Sequence, residues 1–241
     1  MMSSRNDQKL NNKGFTLIEL LVSIAIMVIV AGAIGIMLSG SLSNYDYNQT
    51  TVGLQIESQQ YTQRIGNAIQ TTGYAVYTCP ATDSSGRANP DVDDLYLYTL
   101  DGGSGASQNV VCEIYKAVET SATYTEGGAT KHYYTINHET KQVVRSKFDS
   151  GAASASEWTG TGESEPLAGG IASIHYTVYD TNGKMYTSGS FTGSGSAGST
   201  VYAPKKVKVD VHFKSKNRKL TFEDASFFFR NSTVKGTTQH P

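Results

Sequence analysis

"NNKGFTLIELLVSIAIMVIV" occupies Asn11–Val30, and its reading decides how the rest of the chain is understood. From Phe15 to Leu38 the only charged side chain is Glu19, and the next one after it is Asp46. Wound as a helix, Phe15–Leu38 would cover about 36 Å, enough to cross a ~30 Å hydrocarbon core with some tilt. Arg5, Lys9 and Lys13 precede the run against one acid, Asp7. That excess of positive charge predicts a cytoplasmic N-terminus and an exported C-terminal body. A secretory signal would have a shorter apolar core with its small-residue cleavage site after it. Here the small residue, Gly14, lies ahead of the apolar run.

Glu19 is the residue that needs a reason. An acid inside a membrane span costs about 3 kcal/mol even on the lenient insertion scale, and such acids are usually functional. The structural alternative is that Glu19 lies near enough to the surface to reach water.

The 241 residues leave room for one large core plus an extension. Lys+Arg (20) nearly balance Asp+Glu (21), so total charge implies no polyelectrolyte partner. Charged residues make up only 17%, while Gly (24) and Tyr (15) are abundant, a composition suited to an extracytoplasmic β-rich surface.

Lys13-Gly14-Phe15-Thr16-Leu17-Ile18-Glu19-Leu20 resembles the cleavage and methylation motif of type IV prepilins and type II secretion pseudopilins. The resemblance spans about residues 9–40 and reaches weakly to Gly73. It implies that a prepilin peptidase cuts between Gly14 and Phe15 and N-methylates Phe15, removing a leader of residues 1–14. Glycine at the cut suits a narrow protease cleft and opposes helix formation across the bond. The new α-amino group is cationic at neutral pH. Glu19 matches the acid of the family motif, an assembly residue that would pair with the processed N-terminus of a neighbouring subunit, or with its own.

The implied fold is α+β and pilin-like, a long N-terminal helix packed on a C-terminal antiparallel β-sheet domain. Its parts are a membrane and assembly helix (15–38), an amphipathic continuation (39–73), a β-rich extracytoplasmic domain (74–231) and a polar tail (232–241). A continuous helix over Phe15–Thr72 would be about 87 Å long. Tyr61, Ile65, Ala68 and Ile69 form an apolar stripe that should face a sheet, with Val52 and Ile56 extending it. Gly73 supplies a stop signal. Gly32, Gly35, Gly40 and Gly53 soften the helix or permit close helix packing.

Strands are expected at Tyr74–Cys79, Leu95–Leu100 and Val110–Val118. "HYYTI" and "QVVRSKF" read as a hairpin turning at Asn137–Lys141, and "IHYTVYD" with "KMYT" as another turning at Asn182-Gly183. "KVKVDVHF" alternates, with Val207, Val209, Val211 and Phe213 inward; "SKNR" turns the chain and "KLTFEDASFFFRN" returns it. Asp149–Glu165 and Thr187–Thr200 have the composition of mobile surface loops.

Candidate chemistry outside the N-terminus is thin. Cys79 and Cys112 are a candidate disulfide, which would contribute about 4 kcal/mol in the chain-entropy model, or else two buried thiols on neighbouring strands. Asp91, Asp93 and Asp94 in "NPDVDD" are a weak Ca²⁺ candidate without full loop spacing, read instead as a solvated turn. Lys206, Lys208, Lys214, Lys216, Arg218 and Lys219, with Lys205 beside them, form a basic cluster suited to DNA, though their alternation fits a solvated strand face. His132, His138, His175, His212 and His240 show no metal-ligand spacing, and no catalytic motif is present, so no enzyme activity and no cofactor are expected.

The resemblance implies a structural subunit, a minor pilin or pseudopilin, anchored in the cytoplasmic membrane and then built into an extracytoplasmic filament. Its partners would be other pilin subunits, the prepilin peptidase and the assembly platform. The second reading is a membrane-anchored surface protein, an adhesin or DNA receptor, with a ligand-binding β-domain.

Overall fold

The computed structural model describes residues 15–83, 85–150, 154, 156–187, 201–202, 204–215 and 218–230. The chain divides after Gln49 into two compact units. Helix α1, Leu17–Thr71, is unbroken for 55 residues. Its first part, through Gln49, is exposed on every side, apolar residues included, and contains a stretch long and apolar enough to cross a membrane. Gly32, Gly35, Gly40 and Gly53 do not interrupt it, and a Cβ added at any of them would meet open space.

In the second unit α1 acquires a buried face. Leu54, Ser58, Tyr61, Ile65, Ala68 and Ile69 recur at helical spacing, and Ile65 and Ile69 are fully buried. Each of those isoleucines contributes about 1.5–3 kcal/mol of burial. The expected upstream extension is corrected: Val52 (50%) and Ile56 (49%) are exposed. Ile56 lies five positions before Tyr61, about 140° around the helix, so it belongs to another face. At the C-terminal end the carbonyl of Ala68 accepts the Thr72 N–H at 3.0 Å together with the hydroxyls of Thr71 and Thr72.

The sheet is almost wholly antiparallel. Its strands are β1 (Ala75–Thr82), β2 (Ala88–Asp101), β3 (Asn109–Glu126), β4 (Ala129–Val144), β5 (Thr159–Gly160), β6 (Glu165–Asp180), β7 (Met185–Thr187), β8 (Val201–Tyr202), β9 (Pro204–Ser215) and β10 (Arg218–Phe228). The main path runs β10-β9-β6-β4-β3-β2-β1-β8, with β5 on β4 and β7 on β6. One parallel bridge, Val92 to Ile174, also ties β2 to β6. A short helix α2, Arg145–Asp149, follows β4.

The expected hairpin at Asn137–Lys141 is corrected. That segment lies inside β4, which pairs with β3 along nearly its whole length. The turn is instead Gly127-Gly128, with φ of 60° and 82° between paired Glu126 and Ala129. Two consecutive positive φ values make the type I′ turn whose twist matches paired strands, and glycine adopts them without strain. The second expected hairpin is present: Tyr179 pairs with Met185, and Asp180 Oδ1 accepts from the N–H groups of Asn182 and Lys184 at 2.9 and 2.8 Å.

β9 alternates as read, with Val207, Val209, Val211 and Phe213 all 2% exposed or less. They join β6 residues and the α1 stripe in the main core. A smaller core lies on the other face of β1–β4, where Tyr98, Val110, Cys112 and Val143 pack under Phe148 and Trp158. Trp158, within the segment expected to be a mobile loop, is thus packed beside Tyr98 and Phe148. Residues 188–200 and the tail 232–241 lie outside the described residues.

Candidate functional site

The site that the sequence singles out is the start of α1. Thr16 is its N-cap: its carbonyl accepts the Leu20 N–H at 3.2 Å. Glu19 stands at the third helical position, and its Oε2 accepts both the Thr16 backbone N–H and the Thr16 hydroxyl at 2.9 Å. The Glu19 N–H returns a bond to Thr16 Oγ1 at 3.4 Å. This is a capping box, written as T-x-x-E in residues 16–19, and it satisfies two donors that a helix start otherwise leaves open. Ser23 adds a hydroxyl bond to the Glu19 carbonyl at 2.7 Å. Sequence reasoning found Glu19 but missed Thr16, although the box was legible in the spacing. Among the described residues Glu19 Oε1 accepts nothing, so one lone-pair face of the carboxylate stays available. Phe15, 82% exposed, precedes the helix directly, and Gly14 lies outside the described residues.

The cysteines do not form a bridge. Both are free thiols, Cys79 on β1 opposite Asp94 and Cys112 on β3 opposite Tyr98. β2 runs between them, so their backbones are about 10 Å apart by strand spacing alone, beyond disulfide reach. Burial raises the Cys79 thiol to about 11 and pushes Cys112 up as well. Neither is a reactive thiolate at neutral pH.

Asp91, Asp93 and Asp94 do not converge, and they lie in β2 rather than in a solvated turn. Asp91 pairs with Lys131 at 3.2 Å. Asp93, 2% exposed, accepts from the Tyr176 N–H at 3.3 Å and meets His175 Nδ1 at 3.2 Å. Asp94, 4% exposed, accepts from the Ala117 N–H at 2.8 Å, and burial raises it to about 6. Among the described residues no three His, Cys, Asp or Glu groups gather as metal ligands.

The basic cluster is largely committed to neighbours on the sheet. Lys206 Nζ lies 4.2 Å from the centre of the Tyr179 ring, and Lys208 bonds Asp224 and approaches Asp210 at 3.5 Å. Lys214 pairs with Glu126 at 3.2 Å and sits 4.0 Å from the Tyr124 ring centre. Lys205 and Lys219 stay exposed. Lys216 and the Arg218 side chain lie outside the described residues. Acids thus interleave with Lys208 and Lys214 on this face.

The described histidines take separate partners: His132 with Glu119 at 3.5 Å, His138 with Glu113 at 3.6 Å, and His212 with Ser173 at 3.0 Å. His240 lies outside the described residues.

Compared with known proteins, residues 9–35 match the family model described as the prokaryotic N-terminal methylation motif. No curated protein and no solved structure matches the chain. The matched segment contains the Gly14–Phe15 bond, the Thr16–Glu19 capping box and the apolar part of α1 up to Gly35. Over this segment, 27 of the 241 residues, the chain is similar to type IV pilins and pseudopilins.

Proposed function

We propose that this chain is a minor structural subunit of a type IV pilus or a related secretion or competence filament. The observation that carries the reading is the methylation motif at residues 9–35, in register with a capped helix whose stretch from residue 15 to 38 carries no charge besides Glu19. Residues 1–14 act as the leader, cut by prepilin peptidase at Gly14–Phe15, with N-methylation of Phe15. The basic leader holds the N-terminus in the cytoplasm, and the β-rich unit stands outside. The role is architectural rather than enzymatic: the helix starts of successive subunits meet in the filament, held by the assembly platform until extraction from the membrane. A large β-rich unit on a pilin helix favours a minor over a bulk subunit.

In this assembly Glu19 does two jobs with its two oxygens. Oε2 closes the capping box, while Oε1 receives the ammonium of Phe15 from the next subunit, offsetting the cost of an acid in lipid. Substitution separates the jobs, because Gln keeps a capping oxygen but carries no charge. Glu19→Gln and Glu19→Val are both expected to be cleaved and both to be lost from sheared filaments. Incorporation of Glu19→Gln at the wild-type level would show that capping alone matters. Mass spectrometry of the purified chain tests processing: the expected N-terminus is N-methyl-Phe15. A start at Met1 or Met2 would favour the plain surface anchor.

A further inference from the structure

The face of β1–β4 that carries the smaller core also carries a pocket. The register brings Tyr77, Tyr96, Ile114 and Glu139 into one cross-strand row, and Ala75, Tyr98, Cys112 and Lys141 into the next. Beyond α2 the chain returns over this face. It sets Trp158 at 6.3 Å from Tyr98 and edge-on to Phe148 at 6.1 Å. Between them lies a cavity of about 270 Å³ lined by Tyr96, Tyr98, Cys112, Ile114, Lys141 and Trp158. Buried Cys112 and Ile114 form its floor. Its volume falls just below the usual range of about 300–1,000 Å³ for ligand pockets, suited to one saturated ring with its substituents rather than a peptide.

Three features set the chemistry of an occupant. Tyr96, Tyr98 and Trp158 offer ring surface to an apolar face. Among the described residues, neither the Tyr96 hydroxyl nor the Trp158 indole N–H has a hydrogen-bond partner, although both are partly covered and such groups normally find one. On the strand beside them, Lys141 Nζ and Glu139 Oε1 stand 3.1 Å apart, one supplying donors and the other acceptors, with no net charge. Lys141, in the lining, disfavours a cation, and its ion pair with Glu139 already meets its charge, which weakens its pull on an anion. A ring with an apolar face and hydroxyls around its edge, each able to donate and accept, uses all three features. We propose that this pocket is a carbohydrate site that takes one pyranose ring of a neutral glycan. The assignment stands on the geometry of the β-rich unit and does not depend on the filament reading.

Trp158 is the chain's single tryptophan, so its emission reports on the pocket directly. The full-length chain in detergent is titrated with the methyl glycosides of glucose, galactose, mannose and N-acetylglucosamine. Glucuronate and choline serve as charged controls. A saturable change in Trp158 emission is expected with at least one neutral glycoside, weakened about tenfold, or 1.4 kcal/mol, in Tyr96→Ala and in Lys141→Ala. Lys141→Ala changes only a partly exposed side chain, so it keeps the test valid should Tyr96→Ala fail to fold. Absence of saturable change with every neutral glycoside, a response confined to the charged controls, or one untouched by both substitutions would overturn the assignment.

Discussion

Gly66 lies in the buried stripe of α1 where β10 comes against it: a Cβ there would stand 2.8 Å from Cε1 of Phe227. Two effects compete on substitution. Alanine improves an exposed helix interior by about 1 kcal/mol, whereas overpacking a close contact costs about 1–3 kcal/mol. The contact should win, because Phe227 packs against the main core and has limited freedom to retreat. Gly66→Ala is expected to lower stability by about 1 kcal/mol in denaturant unfolding. In a Phe227→Leu background, which lacks the Cε1 atom, the same change should become neutral or stabilising. A destabilisation of equal size in both backgrounds would show that the contact is not the cause. Helical spacing marked Tyr61, Ile65 and Ile69 as buried, yet nothing in it marked Gly66, because a glycine's reason lies in the side chain opposite it.

At the scale of elements, α1 is joined to the sheet by a buried polar contact as well as by apolar packing. The hydroxyls of Tyr61 on α1 and Tyr176 on β6 bond one another, with each side chain 1% exposed. Burial raises both phenols well above their ordinary range, so both are neutral and one donates to the other. Tyr61→Phe leaves the Tyr176 hydroxyl buried without that partner and should cost about 1–3 kcal/mol. Tyr61→Phe with Tyr176→Phe should recover most of that loss, because no orphaned hydroxyl remains. Additive losses in the double variant would refute the pairing. The β3–β4 hairpin shows how element boundaries escape local reading. Gly127-Gly128 was a turn signal as strong as Asn182-Gly183, but polar residues around Asn137 looked like a turn because one face of β4 meets solvent.

For the molecule as a whole, pH should tune the stability of the β-rich unit. Asp94 is raised by burial from 3.8 to about 6, so the folded state holds a proton that the unfolded chain releases. Its contribution is full below 3.8 and is lost as pH rises through about 6. His175 is raised by its hydrogen bond to Asp93, so its contribution is present below 6.5 and also falls as pH rises through its folded pKa. Glu113 acts oppositely: the nearby His138 ring, 3.6 Å away, and the Tyr115 hydroxyl lower it, and its contribution is lost as pH falls below 4.5. The unfolding midpoint should therefore be higher near pH 5 than near pH 7.5, the region between these opposing windows. Asp94→Asn keeps an oxygen for the Ala117 N–H and removes the charge. It is expected to raise stability by about 2 kcal/mol at neutral pH and to flatten the dependence. An unchanged slope between the two pH values would exclude Asp94 as a source.

The sequence by itself determined what depends on neighbours along the chain. It marked the lipid-compatible run from Phe15, the acid at Glu19, the stripe at Tyr61–Ile69 and the alternation of β9, because helix and strand periods are written into consecutive residues. Only the tertiary structure decided what depends on residues far apart. It separated Cys79 from Cys112 by a strand, buried Asp93 and Asp94 in β2, gave Lys208 and Lys214 acidic partners, and folded Trp158 over Tyr98. A single sequence carries little record of which strand lies beside which, and burial, pairing and pocket shape follow from that adjacency.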